Sequence, residues 1–136
     1  MIIPCRSCPR VGMISVTILA IVFVVGLASV PLRAAEKISF SEDIYPVIQI
    51  RCLACHQPQG DGYEKSGFDL RTYQGLMKGT KFGTMVIPGN AFMSNLMVLI
   101  EGRGAPEIRM PHSRKKLSNC DTRLFRLWID QGAKDN

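Results

Sequence analysis

The sequence predicts an all-α fold: about four short helices in one domain, behind an amino-terminal apolar segment. Three observations predict it. Apolar residues recur at helical spacing in several separate stretches, Ser, Thr, Asp and Gly stand where helix ends need caps, and one uncharged run fills residues 11–30. The 136-residue chain divides accordingly into residues 1–35, a signal peptide or uncleaved membrane anchor, and residues 36–136, one folded domain expected to run from about 38 to 133.

The amino-terminal segment has the marks of export. Arg6 and Arg10 precede the apolar run, and Pro31, Leu32 and Arg33 follow it. Its 20 residues exceed the roughly 7–15 of a cleavable signal core and are just enough to span a bilayer. Gly26-Leu27-Ala28 is a small-x-small site inside the run, but the length favours a retained anchor. Basic residues on the amino-terminal side predict that end inside and the domain outside, on the outer face of the cytoplasmic membrane or in the periplasm.

The first helix of the domain is read from Ile44, Val47, Ile48 and Cys52. Pro46 belongs in its first turn, where a missing N–H costs little, which favours Asp43 as the cap over Ser41. This helix leads into Cys52-Leu53-Ala54-Cys55-His56. The C-x-x-C-H spacing puts two thiols and an imidazole on one face of a helical turn, within reach of one flat macrocycle. In such a site Cys52 and Cys55 form thioethers to haem and His56 is the proximal iron ligand. A dithiol redox pair would need a βαβ context. Zinc would need further ligands, and His112 and Cys120 lie more than 50 residues away.

Beyond the motif, Pro58, Gly60, Gly62 and Gly67 predict a loop. A short helix follows, capped by Thr72, with Tyr73, Leu76 and Met77 inside and Gly79 as its stop. The stretch Val86-Ile87-Pro88-Gly89-Asn90 reads as extended chain and a turn. In the next helix Phe92, Leu96, Leu99 and Ile100 form the apolar stripe, and Gly102 and Gly104 end it. Ser118 and Asp121 open the last helix as an S-x-x-D cap, Leu124, Leu127, Trp128 and Gln131 share a face, and Gly132 closes it. Trp128 is expected to anchor the core between the terminal helices.

Charge and cysteine usage agree with export. Residues 36–136 carry 14 basic and 11 acidic side chains, a net +3 against +6 for the chain, and haem propionates would offset most of it. A nucleic-acid partner is therefore not indicated. Cys5 and Cys8 are followed by Pro9, where haem attachment would need histidine. Cys120 is expected as a buried thiol, with intermolecular pairing as the alternative.

The second axial position decides what such a haem can do. Met110, before Pro111, is the strongest candidate, because the proline biases it toward extended chain in a stiff loop. His112 competes from two residues on, and Met85 is the methionine rival. Arg114, Lys115 and Lys116 form a basic run that could meet an acidic redox partner.

These stretches together resemble the planctomycete-type cytochrome c domain: Phe40-Ser-Glu-Asp-Ile-Tyr-Pro-Val-Ile, Cys52-x-x-Cys-His, Gly67-Phe-Asp-Leu-Arg-Thr-Tyr, Val86-Ile-Pro-Gly-Asn, Arg109-Met-Pro and Trp128-Ile-Asp-Gln-Gly-Ala. The resemblance implies a small monohaem cytochrome c-like fold wrapped around one covalent haem c, with Cys52 and Cys55 as attachment sites, His56 as proximal and Met110 as distal ligand. Where the family often has Met-Pro-Pro, this chain has His112 as the third residue. The function expected is one-electron transfer between redox protein partners rather than catalysis on a substrate. A peroxidase-like or sensory haem centre and a haem subunit of a larger membrane complex are the alternatives.

Overall fold

The computed structural model describes residues 36–136, and the expected export segment lies outside them. Residues 37–136 form one compact unit. Its elements are a π-helical turn Phe40–Ile44 running into α1 (Tyr45–Arg51), then α2 (Asp61–Ser66), α3 (Tyr73–Lys78), α4 (Asn95–Glu101), a 3-10 turn Pro106–Ile108, and α5 (Asn119–Asp130). Among the described residues there is no strand, only an isolated bridge between Thr80 and Gly83. The all-α expectation stands. None of these helices is long and apolar enough to cross a membrane.

The start of the first helix differs from the sequence reading. Ser39, not Asp43, is the cap: its hydroxyl accepts from the Glu42 N–H at 3.2 Å, and the Asp43 carboxylate accepts from the Ser39 N–H at 2.8 Å. Pro46 explains why a wide turn comes next. A proline ring clashes with the carbonyl four residues back in a regular helix, and i→i+5 bonding relieves that crowding. Here the Ile44 N–H reaches the Ser39 carbonyl and the Tyr45 N–H reaches that of Phe40.

The remaining helix ends follow local chemistry. Thr72 accepts from the Gly75 N–H at 3.0 Å and Gly79 ends α3. Gly102, with φ +72°, ends α4 in the left-handed conformation that glycine adopts at least cost. Ser118 and Asp121 form the expected reciprocal cap of α5. Ile87 to Asn90 close a turn with Pro88 and Gly89 (φ +81°) at its centre. Phe92 departs from its expected place in the α4 stripe. It precedes the helix and is 64% exposed, lying under the Arg103 guanidinium at 4.8 Å. Leu96, Met97 and Ile100 form the buried stripe instead, and Ser94 turns its hydroxyl inward to the main chain of Ile87 and Asn90.

Trp128, 1% exposed, joins the two ends of the domain as expected. Its ring lies 5.6 Å from Phe40 and 6.4 Å from Tyr73, and its indole N–H donates to the Lys134 carbonyl at 2.9 Å. Tyr73 donates its hydroxyl to the Ala133 carbonyl at 2.8 Å. Polar bonds reinforce the seam, since Gln131 Oε1 accepts from the Ile38 N–H and the Asn136 carbonyl from the Ser41 N–H, both at 2.9 Å. The first helix, which leads directly into the motif, is thereby fixed to the last.

Candidate haem site

Residues 52–56 form a turn of their own rather than an extension of α1. Cys52 caps the helix with φ −123°, and its carbonyl accepts from the N–H groups of both Cys55 and His56 at 3.1 Å. That single turn anchors the main chains of Cys55 and His56 on the Cys52 carbonyl. Both motif cysteines are free thiols, Cys55 exposed and Cys52 half-buried. Burial pushes the Cys52 thiol up to about 11, with the charge of Arg51 opposing and Cys55 adding to the effect.

The segment expected as a loop contains α2, and its glycines explain both the helix and why the sequence hid it. Gly60 caps α2 and Gly62 sits in its first turn, where glycine is a poor helix former. Tertiary contact takes precedence over propensity here. A Cβ on Gly60 would lie 2.6 Å from the Cys55 carbonyl oxygen, and one on Gly62 would lie 2.8 Å from Cε1 of His56. The helix packs directly on the motif turn, and the Tyr63 N–H donates to the Cys55 carbonyl at 2.8 Å.

Phe68 and Leu70 complete the support of His56. The Phe68 ring meets the imidazole edge-on at 5.5 Å and 75°, and the Leu70 N–H donates to the His56 carbonyl at 2.8 Å. Sequence reading assigned neither a role, although both belong to the Gly67-Phe-Asp-Leu stretch that carried the resemblance. Burial lowers the basicity of His56. The Phe68 main chain lies near enough to offset part of this, without making a hydrogen bond that satisfies the buried Nδ1.

Met110 is half-buried on the loop between the 3-10 turn and α5, joined to Pro111 by a cis peptide bond. Its N–H donates to the Leu99 carbonyl of α4 at 3.1 Å. Arg51, immediately before Cys52, donates from Nη2 to the Lys115 and Lys116 carbonyls at 2.5 and 3.3 Å. The Arg51 side chain thus ties the motif to the chain beyond Met110, while the Met110 N–H ties its loop to α4. His112 is exposed and Met85 is buried among the core residues. Cys120, expected as a buried thiol, is half-buried and is not among the free cysteines of the described residues. No group of three or more His, Cys, Asp or Glu side chains comes together among the described residues, so a zinc site has no donor set there.

A family model described as planctomycete cytochrome C matches residues 52–113, from the first motif cysteine to just beyond His112. That match agrees with the family the sequence resembles. No curated protein and no solved structure is significantly similar to the chain. A cytochrome c domain implies covalently bound haem c and haem-based electron transfer. The residues present fit that group: two free thiols and an imidazole lie in one turn, and the Nδ1 of that imidazole is buried without a full hydrogen bond. The matched stretch includes α2, Phe68 and the Met110 loop, while α1 and α5 lie outside it.

Proposed function

We propose that this protein is an exported one-electron carrier, with one haem c attached through Cys52 and Cys55 and ligated by His56 and Met110. Haem c, when bound, supplies one-electron exchange at its iron. The turn of residues 52–56 carries the proposal, because it holds Cys52, Cys55 and His56 in one hydrogen-bonded turn at the C-x-x-C-H spacing. His56 would hold the iron from the proximal side. A half-buried methionine, pinned at its main chain to α4, suits a permanent sixth ligand better than the exposed His112 or the core residue Met85.

Histidine and methionine together raise the potential above that of two histidines, which suits delivery of electrons to a strong oxidant. The apolar run of residues 11–30 supports a tether at the outer face of the membrane. Arg114, Lys115 and Lys116, all exposed, support a redox protein partner with an acidic surface. Visible and near-infrared spectra of the oxidised full-length protein test the ligand set. The methionine-to-iron charge-transfer band is expected, together with a low-spin spectrum and a one-electron redox titration. A high-spin spectrum with rapid carbon monoxide binding would replace the carrier with a catalytic or sensory centre. Fractionation with and without detergent tests the tether.

A further inference from the structure

His56 is gripped by two elements outside the attachment motif, and this grip determines the plane of its ring. A metal-bound imidazole is normally oriented by a hydrogen bond from its other nitrogen to a carbonyl or carboxylate. In this protein Nδ1 of His56 is buried beside the Phe68 main chain without a hydrogen bond of full geometry, so packing shares that work. At Gly62 the α2 backbone comes so close that a Cβ would stand 2.8 Å from Cε1, 3.0 Å from Nδ1 and 2.9 Å from the Cys55 carbonyl oxygen. Phe68, 3% exposed, puts its ring edge-on to the imidazole at 5.5 Å.

Neither neighbour can give easily. The Cys55 carbonyl is held by the Tyr63 N–H at 2.8 Å, and Ser66 donates its hydroxyl to the Gly62 carbonyl at 2.5 Å. Downstream, the bond from the Leu70 N–H to the His56 carbonyl fixes the chain that carries Phe68.

We propose that Gly62 and Phe68 are positioning residues that fix the plane of the His56 imidazole. Gly62 does so by having no side chain, and Phe68 by the edge of its ring. The inference rests on the proposed role of His56 as iron ligand. Ring orientation about the iron bond, together with that of the sixth ligand, governs how unpaired spin spreads over the macrocycle, so the haem-methyl proton resonances and the electron paramagnetic g-values of the oxidised protein respond to it.

Those spectra are to be compared for the parent holoprotein, Gly62→Ala, Phe68→Leu and Gly60→Ala. The three atoms nearest to a Cβ on Gly60 would be main-chain atoms of Cys55 and Ala54, so this variant presses first on the turn rather than on the ring. Gly62→Ala and Phe68→Leu are expected to keep covalent haem and to redistribute the haem-methyl resonances. Gly60→Ala is expected to lower thermal stability while retaining the parent pattern. An unchanged pattern in both ring-facing variants would overturn the inference, as would the same redistribution in Gly60→Ala. Should Gly62→Ala not fold, Phe68→Leu decides alone. A parent protein lacking a low-spin, histidine-ligated covalent haem would instead sink the functional reading on which this rests.

Discussion

The N–H of Met110 donates to the carbonyl of Leu99 at 3.1 Å, fixing the main chain of the proposed distal ligand to the last turn of α4 and leaving its thioether out of that bond. The rivals are placed differently. Met85 is 8% exposed, and its carbonyl accepts from the Leu96 N–H at 2.8 Å, which ties it into the core at the start of α4. Met110→Ala is therefore expected to abolish the near-infrared methionine band, whereas Met85→Leu and His112→Ala retain it. Loss of the band in Met85→Leu, with retention in Met110→Ala, would move the ligand to residue 85.

Trp128 holds the two ends of the domain together. It packs on Phe40 and Tyr73 and donates to the Lys134 carbonyl, joining α5 to the helix that leads into the motif. Trp128→Ala is expected to cost about 3–5 kcal/mol, in line with deletion of a large buried aromatic. Trp128→Phe keeps most of the packing and loses one hydrogen bond, about 1 kcal/mol. Denaturant melts give both values, and the near-infrared band of folded Trp128→Phe should match the parent.

The Asp69 carboxyl is held below its ordinary value of 3.8 chiefly by hydrogen bonding to the Arg71 side chain, with Nη2 to Oδ2 at 2.7 Å. A carboxyl depressed in the folded state binds fewer protons there than in the unfolded chain. Its contribution is therefore complete above 3.8 and fades as pH falls through the folded value. Asp69→Asn should remove this contribution at neutral pH and make the acid limb of a stability-against-pH curve shallower, the two proteins converging as pH falls through the folded value. Both groups are largely solvent-screened, so the effect is small. An unchanged acid limb would show that the pair adds nothing.

Elements whose limits are set by near neighbours in the chain were legible in the sequence. Thr72 and Gly79 bound α3, Ser118 and Asp121 open α5, and Gly102 closes α4, each by a bond or a left-handed φ spanning a few residues. The misreadings arise where a distant contact overrides such signals. Gly62 looks like a helix breaker, yet it lies in a helix that only glycine lets approach His56. Pro46 is compatible with Asp43 as a cap, but a π turn lets the helix start at Ser39, where bonds to Asn136 hold it. Phe92 has the period of α4 but lies before it, since the chain is extended at the Ser94 cap, whose hydroxyl donates to the Asn90 carbonyl of the preceding turn. The attachment motif was readable as a pentapeptide. Its support by Phe68 and Leu70 was not, since residues 12 and 14 positions beyond His56 have no sequence rule linking them to it.

Arg51 links the two sides of the proposed iron site without belonging to either ligand set. It immediately precedes Cys52, and Nη2 reaches the carbonyls of Lys115 and Lys116, just beyond the Met110 loop. Hydrogen bonds from a charged donor contribute about 1.5–3 kcal/mol where desolvated, and exposure of these groups puts the present pair at or below the lower end. A lysine ammonium lacks the planar fork of guanidinium, so it holds such an arrangement less firmly. Arg51→Ala should therefore lower the temperature at which the methionine band disappears while shifting global unfolding much less, with Arg51→Lys between alanine and the parent. Band loss followed at its near-infrared wavelength, alongside far-ultraviolet circular dichroism on the same sample, separates the two events. If both melt together in every variant, Arg51 stabilises the whole domain and has no special hold on the distal loop.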